Sequence, residues 1–423
     1  YLVILEQAAG EAIESKYNRI KKGNFMRKEL NPIYLRLCTL TVFRGVRKAK
    51  LFTAFEEYCQ SETEAEKRKA YAAFVSEIYA FGGDLTALTE SLVFMDENVY
   101  VKAKSRGESI NENVKRTVES ELSTFSCFAS LTPADFAEDM GVNAYLLPSF
   151  DSEAVDFSAN YADRLQDIER YGYGIFAAYG MFRVSDDRKI EPIVSADKIG
   201  VDSFVGYEAE RAKVVENTLA FIEGRPAANT LLCGDAGTGK SSTVKAIANE
   251  YFSHGLRLIE LRKDQLSLLP YVMGKISENP LKFIIFIDDL AFSKSDDNFS
   301  MLKAALEGSA SAQADNAVIY ATSNRRHIIK ESFGDRDADD VHRNDTMQET
   351  LSLSERFGLT VLFQKPNKQL YLSIVKTLAD RHAIEKPEAE LFVEAEAFAL
   401  KKGNRSPRCA EQFIDSLLRA RKN

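Results

Sequence analysis

The spacing of apolar positions changes character twice along the chain. From residue 1 to about 171 it follows a helical period. Tyr71, Phe74, Val75, Ile78 and Tyr79 share one helical face that Gly82-Gly83 terminates, and Ser61 with Glu64 has the spacing of a capping box ahead of it. Thr132-Pro133 opens another helix with proline at the first helical position. Near Tyr173 the period shortens. Tyr173-Gly174-Ile175-Phe176 and Met181-Phe182-Arg183-Val184 are expected as short strands, with an Asp186-Asp187 turn before Ile190. From about residue 200, apolar β-rich runs at 230–233, 256–261, 283–287, 317–322 and 359–363 are separated mostly by helical segments. Continuous apolar strands alternating with helices predict a parallel sheet covered on both faces. After residue 366 the helical period returns, with Leu370, Ile374, Val375 and Leu378 on one face and Phe413, Ile414, Leu417 and Leu418 on another.

Composition narrows the classes. A chain of 423 residues has room for two or three domains, and 45% hydrophobic residues suffice for a sizeable core. A net charge of −8 speaks against a nucleic-acid coat over the whole surface. The local cluster Arg44, Arg47, Lys48 and Lys50 reads as a solvated helix face, with a nucleic-acid contact as the alternative. Cys38, Cys59, Cys127, Cys233 and Cys409 form no C-x-x-C pair, so neither a disulfide framework nor a zinc site is expected, and a cytoplasmic location fits. Without an apolar run near ~18 residues, no membrane span is expected. The start, YLVILEQAAGEAIESKY, reads as a helix and not as a signal peptide.

The strongest motif is Gly234-Asp235-Ala236-Gly237-Thr238-Gly239-Lys240-Ser241, a full G-x-x-x-x-G-K-[ST] match with a strand before it and a helix after it. Glycines let backbone N–H groups turn inward around phosphate oxygens, and the helix N-terminus adds partial positive charge. Asp235, Ala236, Gly237, Thr238, Gly239, Lys240, Ser241 and Ser242 are therefore the expected phosphate contacts. Lys240 can reach the β- and γ-phosphates, and the Ser241 hydroxyl can ligate Mg²⁺. Phe283-Ile284-Ile285-Phe286-Ile287-Asp288-Asp289 is a buried strand ending in two acids, a Walker B pattern in which Asp288 would hold the Mg²⁺ shell. Asp289 stands where a water-activating carboxylate is expected; a helix N-cap is its competing role. Guanine is excluded as the base, because Ser293-Lys294-Ser295-Asp296 lacks the asparagine of N-K-x-D and follows Walker B directly.

Four further segments resemble those of AAA+ ATPases. Phe204-Val205-Gly206-Tyr207 is similar to the box II loop that packs on adenine. Tyr320-Ala321-Thr322-Ser323-Asn324 is similar to sensor 1, and Ser354-Glu355-Arg356-Phe357-Gly358 to box VII. Gly403-Asn404-Arg405-Ser406-Pro407-Arg408 is similar to sensor 2. The stretch FVGYEAERAKVVENTLAFIEGRPAANTLLCGDAGTGKSSTVKAIANEY and the segments after it resemble a bacterial family of AAA+ ATPases catalogued as a domain of unknown function, over roughly residues 173–420. Family members also carry Asp-Asp in Walker B. The resemblance implies that Val205 and Gly206 contact the nucleotide and that Asn324 positions the attacking water. It implies Arg408 as sensor 2, with Arg405 competing, and Arg356 as a finger acting on a neighbouring subunit, hence a homo-oligomer. A surface ion pair is the alternative for Arg356.

The fold expected from all this is α/β. A P-loop AAA+ αβα core with a five-stranded parallel sheet in order 5-1-4-3-2 occupies 199–365, and a C-terminal helical lid 366–423. An all-α N-terminal domain (1–172) and a short β-rich linker (173–198) precede them. The expected activity is ATP binding and hydrolysis with Mg²⁺, used to remodel or load a protein or nucleic-acid partner through the N-terminal domain. The alternatives are a slow-hydrolysing nucleotide-gated switch and a helicase-loader-like protein. Tyr271-Val272-Met273-Gly274 echoes a substrate-threading pore loop, but Leu269, Val272, Met273 and Ile276 suit a packed helix better. Arg325, Arg326 and the charged insertion 335–345 are expected as exposed segments.

Overall fold

The computed structural model describes residues 30–194, 200–290, 297–306, 314–324 and 356–421. Readings placed on 1–17, 293–296, Arg325, Arg326, 335–345, Ser354 and Glu355 lie outside these residues. Contacts divide the chain into two compact units, Tyr1–Gln166 and Asp167–Asn423, where the sequence pattern places the change at 172/173.

The first unit is helical as described: α1 (Leu30–Cys38), α2 (Lys50–Gln60), α3 (Glu64–Ala80), α4 (Leu85–Phe94), α5 (Val99–Ser105), α6 (Glu112–Ala129), α7 (Pro133–Met140) and α8 (Phe157–Gln166). Its core is aromatic, with Phe52 stacked on Phe128 at 4.7 Å and Phe55 edge-on to the same ring at 5.0 Å. Tyr71, Phe74, Val75 and Ile78 of α3 are buried, but Tyr79 is exposed and its hydroxyl donates to the Ser149 carbonyl. The capping box sits two residues beyond its expected place. Thr63 caps α3 and Glu66 returns the bond, because Ser61 is already engaged in ending α2, its hydroxyl donating to the Glu57 carbonyl. Arg47 of the basic cluster is held within the unit, by the Cys38 carbonyl at 3.2 Å and Glu56 at 3.5 Å. Arg44, Lys48 and Lys50 are exposed.

The second unit begins with the short helix α9 (Ile168–Tyr171) and is built on a seven-stranded sheet. The strands are β1 (Met181–Val184), β2 (Ile190–Pro192), β3 (Thr230–Gly234), β4 (Leu256–Glu260), β5 (Lys282–Ile287), β6 (Ala317–Ser323) and β7 (Leu359–Phe363), in the order β2-β1-β4-β5-β6-β3-β7. From β3 to β7 this is the expected five-stranded order, and every pairing among those five is parallel. The β1–β2 hairpin, read from sequence as part of a linker, joins the same sheet through a parallel β1–β4 pairing. The continuous apolar run of β5 has a simple cause. Phe283, Ile285 and Ile287 enter one core cluster while Ile284 and Phe286 enter the one on the opposite face, all fully buried.

Residues Gly174–Ala177 form a 3-10 helix and not the expected strand. Gly174 has φ +67, which breaks an extended run. Phe176 then packs on Phe182 and Phe283, and its carbonyl accepts from the buried guanidinium of Arg257 at 2.6 Å. The remaining α-helices of this unit among the described residues are α10 (Glu208–Ile222), α11 (Lys240–Glu250), α12 (Leu269–Ile276), α13 (Asp297–Leu306), α14 (Lys368–Arg381), α15 (Glu388–Lys402) and α16 (Pro407–Arg421). In α12, Leu269, Val272, Met273 and Ile276 are buried, so the Tyr271–Gly274 echo is a packed helix. The last three helices enclose their own core of Tyr371, Ile374, Val375, Ala395, Phe413 and Ile414. No helix among the described residues is long and apolar enough to cross a membrane.

Candidate functional site

Strand β3 lies between β6 and β7, so the loop leaving its carboxyl end opens where the strand order reverses, the usual binding crevice of an open α/β sheet. Gly234 ends the strand at φ +135, and a Cβ there would stand 2.0 Å from the Phe363 carbonyl oxygen. That closeness lets the Asp235 N–H donate to the same oxygen at 3.2 Å. Gly234→Ala is expected to cost about 2–4 kcal/mol, because both the clash and the backbone angle oppose a side chain. Urea unfolding checks this, and a loss below about 0.5 kcal/mol would contradict it.

Beyond Gly234 the loop turns through Gly237 (φ +75) and Gly239 (φ +88). It is closed by the Thr238 hydroxyl donating to the Asp235 carbonyl at 2.9 Å. Helix α11 then starts at Lys240 with no side chain capping it and no acid in its first turn. Its first amides and the positive end of its dipole face the loop, the arrangement that binds phosphate. Asp235, Ala236 and Ser242 are exposed on this loop and turn, whereas Thr238 and Lys240 are buried.

The Lys240 ammonium donates to the Gly234 carbonyl at 3.0 Å, the Asp235 carbonyl at 2.8 Å and Asn324 Oδ1 at 3.0 Å. Burial pushes its pKa below the ordinary lysine value, opposed by the nearby Asp235 and Asp288 carboxylates. Beside it the Ser241 hydroxyl donates to Asp288 Oδ1 at 2.6 Å. The same oxygen accepts from the Thr322 hydroxyl and, at 3.1 Å, from the Asp289 N–H. Asp289 takes φ +51, a left-handed angle for a side-chain-bearing residue, and its carboxylate accepts from Asn324 Nδ2 at 2.7 Å. A single chain of contacts thus runs from Lys240 through Asn324 to Asp289.

The box II segment wraps the start of α10. Gly206 (φ +78) lies so close to the lid that a Cβ would meet Ile374 at 3.2 Å, and Val205 packs on the lid core. Tyr207 anchors the strap through its hydroxyl, which donates to the Gln364 carbonyl at 2.6 Å. The lid also reaches the phosphate loop: the Arg408 N–H donates to the Gly237 carbonyl at 3.3 Å. Ser406 caps α16 as expected, accepting from the Cys409 N–H at 3.2 Å. Arg405 is committed elsewhere, in a two-point pair with Glu396 at 3.0 Å per bond, while Arg408 is exposed at the loop. Arg356 stands half-buried at the entry to β7, beside the buried Phe357.

The structure therefore gathers Lys240, Ser241, Asp288, Asp289 and Asn324 at the carboxyl ends of three adjacent strands, with Val205, Gly206 and Arg408 at the lid side. Two residues that the sequence gives only as parts of longer motifs have contacts of their own. The Thr322 hydroxyl donates to the Asp288 carboxylate and accepts from the Asp289 N–H, and Tyr207 ties box II to the segment leading into the lid.

Residues 177–421 match the family described as Protein of unknown function (DUF815). The chain belongs to this family. No curated protein matches it. Among solved structures, this DUF815 chain is similar to two single-substitution variants of Thermotoga maritima RuvB. One is 18% identical over 51% of this chain and 63% of that one, at a TM-score of 0.35. The other is 18% identical over 53% of this chain and 67% of that one, at 0.36. A further structure, described as the Thermotoga maritima RuvB Holliday junction branch migration motor, is 13% identical over 52% of this chain and 72% of that one, at 0.32. The chain spans 63% of the first of these. At scores of this size the architecture rests on the strand order, phosphate loop and lid described above, which are those of an AAA+ P-loop core.

Proposed function

We propose that this DUF815 chain binds ATP between core and lid and hydrolyses its β–γ bond, using the cycle to remodel or load a protein or nucleic-acid partner through the helical unit. One observation carries the reading: a buried ammonium, an uncapped helix N-terminus and two ordered acids converge on one glycine-lined loop. In this reading Asp235 through Ser242 cradle the phosphates and Val205 with Gly206 flanks the adenine.

The donor set also fits Mg²⁺. Ser241 Oγ and Asp288 Oδ1 are hard oxygen donors 2.6 Å apart at the mouth of the cradle, and Mg²⁺ is held by such groups together with substrate phosphates. When bound, the ion supplies positive charge against the β- and γ-oxygens. Lys240 adds a fixed charge in a desolvated position. Asp289 orients the attacking water and accepts its proton, and Asn324 holds Asp289 and the water in register. Arg408 lies in cis at the γ-phosphate end. Arg356 completes the site of a neighbouring copy, which makes the active species a homo-oligomer.

The trans role gives a direct test. Arg356→Ala is expected to lower turnover by about 10³-fold with ATP affinity retained. Mixing it with a Lys240→Ala chain is expected to restore part of the activity, since each supplies what the other lacks. Turnover unchanged in Arg356→Ala at every protein concentration would sink the shared site. A nucleotide-gated switch with slow hydrolysis is the second reading. It is favoured by the aspartate at 289, about one methylene shorter than the glutamate that most AAA+ ATPases carry there, and by its carboxylate already being held by Asn324.

A further inference from the structure

The hydroxyl of Thr322 makes contacts that no role assigned so far requires. It sits near the end of β6, buried, two residues before Asn324. It donates to Asp288 Oδ1, the oxygen that also receives the Ser241 hydroxyl, and it accepts from the Asp289 N–H at 3.0 Å. The backbone carbonyl of the same residue accepts from the Leu290 N–H at 2.7 Å. One residue therefore holds three consecutive positions at the end of β5. The middle one, Asp289, carries the left-handed φ of +51. An aspartate in that conformation persists only where its surroundings over-determine it, and Thr322 supplies two of the bonds that do so.

We infer that Thr322 is a positioning residue for both Walker B acids: its hydroxyl sets the face that Asp288 turns to Ser241 and pins the strained turn that aims Asp289 at Asn324. The inference rests on the nucleotide reading above and deepens it. It assigns to a β6 hydroxyl the coupling of two tasks, ordering the oxygen donors for the metal and presenting the base. A hydroxyl is needed here because one atom must donate to a carboxylate and accept from an amide at once. Serine can do this, and valine, though the same shape, can do neither.

The test uses the full chain, with a fluorescent ADP analogue as probe, titrated with Mg²⁺ and again in chelator. Thr322→Val is expected to need about 10-fold more Mg²⁺ to tighten the analogue and to lose about 10–100-fold in turnover, the usual scale for a residue that orients metal ligands. Its affinity for the analogue in chelator should stay at the wild-type value, because the cradle itself is untouched. Thr322→Ser should restore both properties to within about threefold, which a purely space-filling role would not do. Should Thr322→Val fail to fold, Thr322→Ala serves, with the same separation between metal-dependent and metal-free binding expected. A valine or alanine variant matching wild type in Mg²⁺ requirement and turnover overturns the inference. A wild-type chain that takes up no analogue under either condition defeats the nucleotide reading itself, a distinguishable failure.

Discussion

Lys240→Ala is expected to lower turnover by about 10²–10³-fold or more and to weaken ATP binding by about 10–100-fold. The effect is large because of where the ammonium sits. It is buried and holds two loop carbonyls and Asn324 Oδ1. A charge in so desolvated a place acts on phosphate oxygens through a low effective dielectric, where Coulombic attraction is several-fold stronger than in water. Removing it takes away the charge and also leaves the Asn324 amide oxygen without its donor, so the hold on Asp289 loosens. Arginine should not rescue, since its planar fork cannot occupy the point position of an ammonium among three acceptors. Filter binding and phosphate release on the purified variant check this, with an unfolding curve as control. A variant that keeps wild-type affinity and turnover would show that the triphosphate lies elsewhere.

Asp289→Asn separates binding from chemistry. Turnover is expected to fall by about 10²–10⁴-fold, the contribution of a positioned general base, with ATP affinity changed by less than about threefold. The amide is isosteric, so it can keep the left-handed turn fixed by Thr322 and Asp288, but it cannot take a proton. The Asn324 amide would then face a group that is no longer an obligate acceptor, weakening the relay from Lys240. If the wild-type rate is itself negligible and the variant shows no further loss, the protein is a nucleotide-gated switch. A fast wild type with an equally fast variant removes Asp289 from the chemistry.

The glycine loop after β3, the buried β5 strand and the parallel core were legible because each carries local instructions. Glycines at 234, 237 and 239 are required by positive φ angles, and the unbroken apolar run of β5 by burial on both faces. Readings that depended on distant partners fared differently. The segment at Gly174–Ala177 has a strand-like composition, yet Arg257 and the Phe182–Phe283 pair fix it as a tight helix from across the fold. The β1–β2 hairpin gives no local sign that it will extend the core sheet, since its neighbour β4 lies far along the chain. The order of cap and first helical residue favours Arg408 over Arg405, and spacing gives no sign of the contact the structure adds: Glu396, one α15 side chain, pairs with Arg405. Capping shifted from Ser61 to Thr63 for a similar reason, competition from the preceding helix end.

Isothermal titration of the full chain with a non-hydrolysable ATP analogue, with and without Mg²⁺, bears most directly on the central claim that the 234–242 loop is a triphosphate cradle. Saturable uptake of one analogue per chain, tightened by Mg²⁺ and lost in Lys240→Ala, is the expected result. No heat of binding for the wild type with Mg²⁺ present, in a chain shown to be folded, contradicts it.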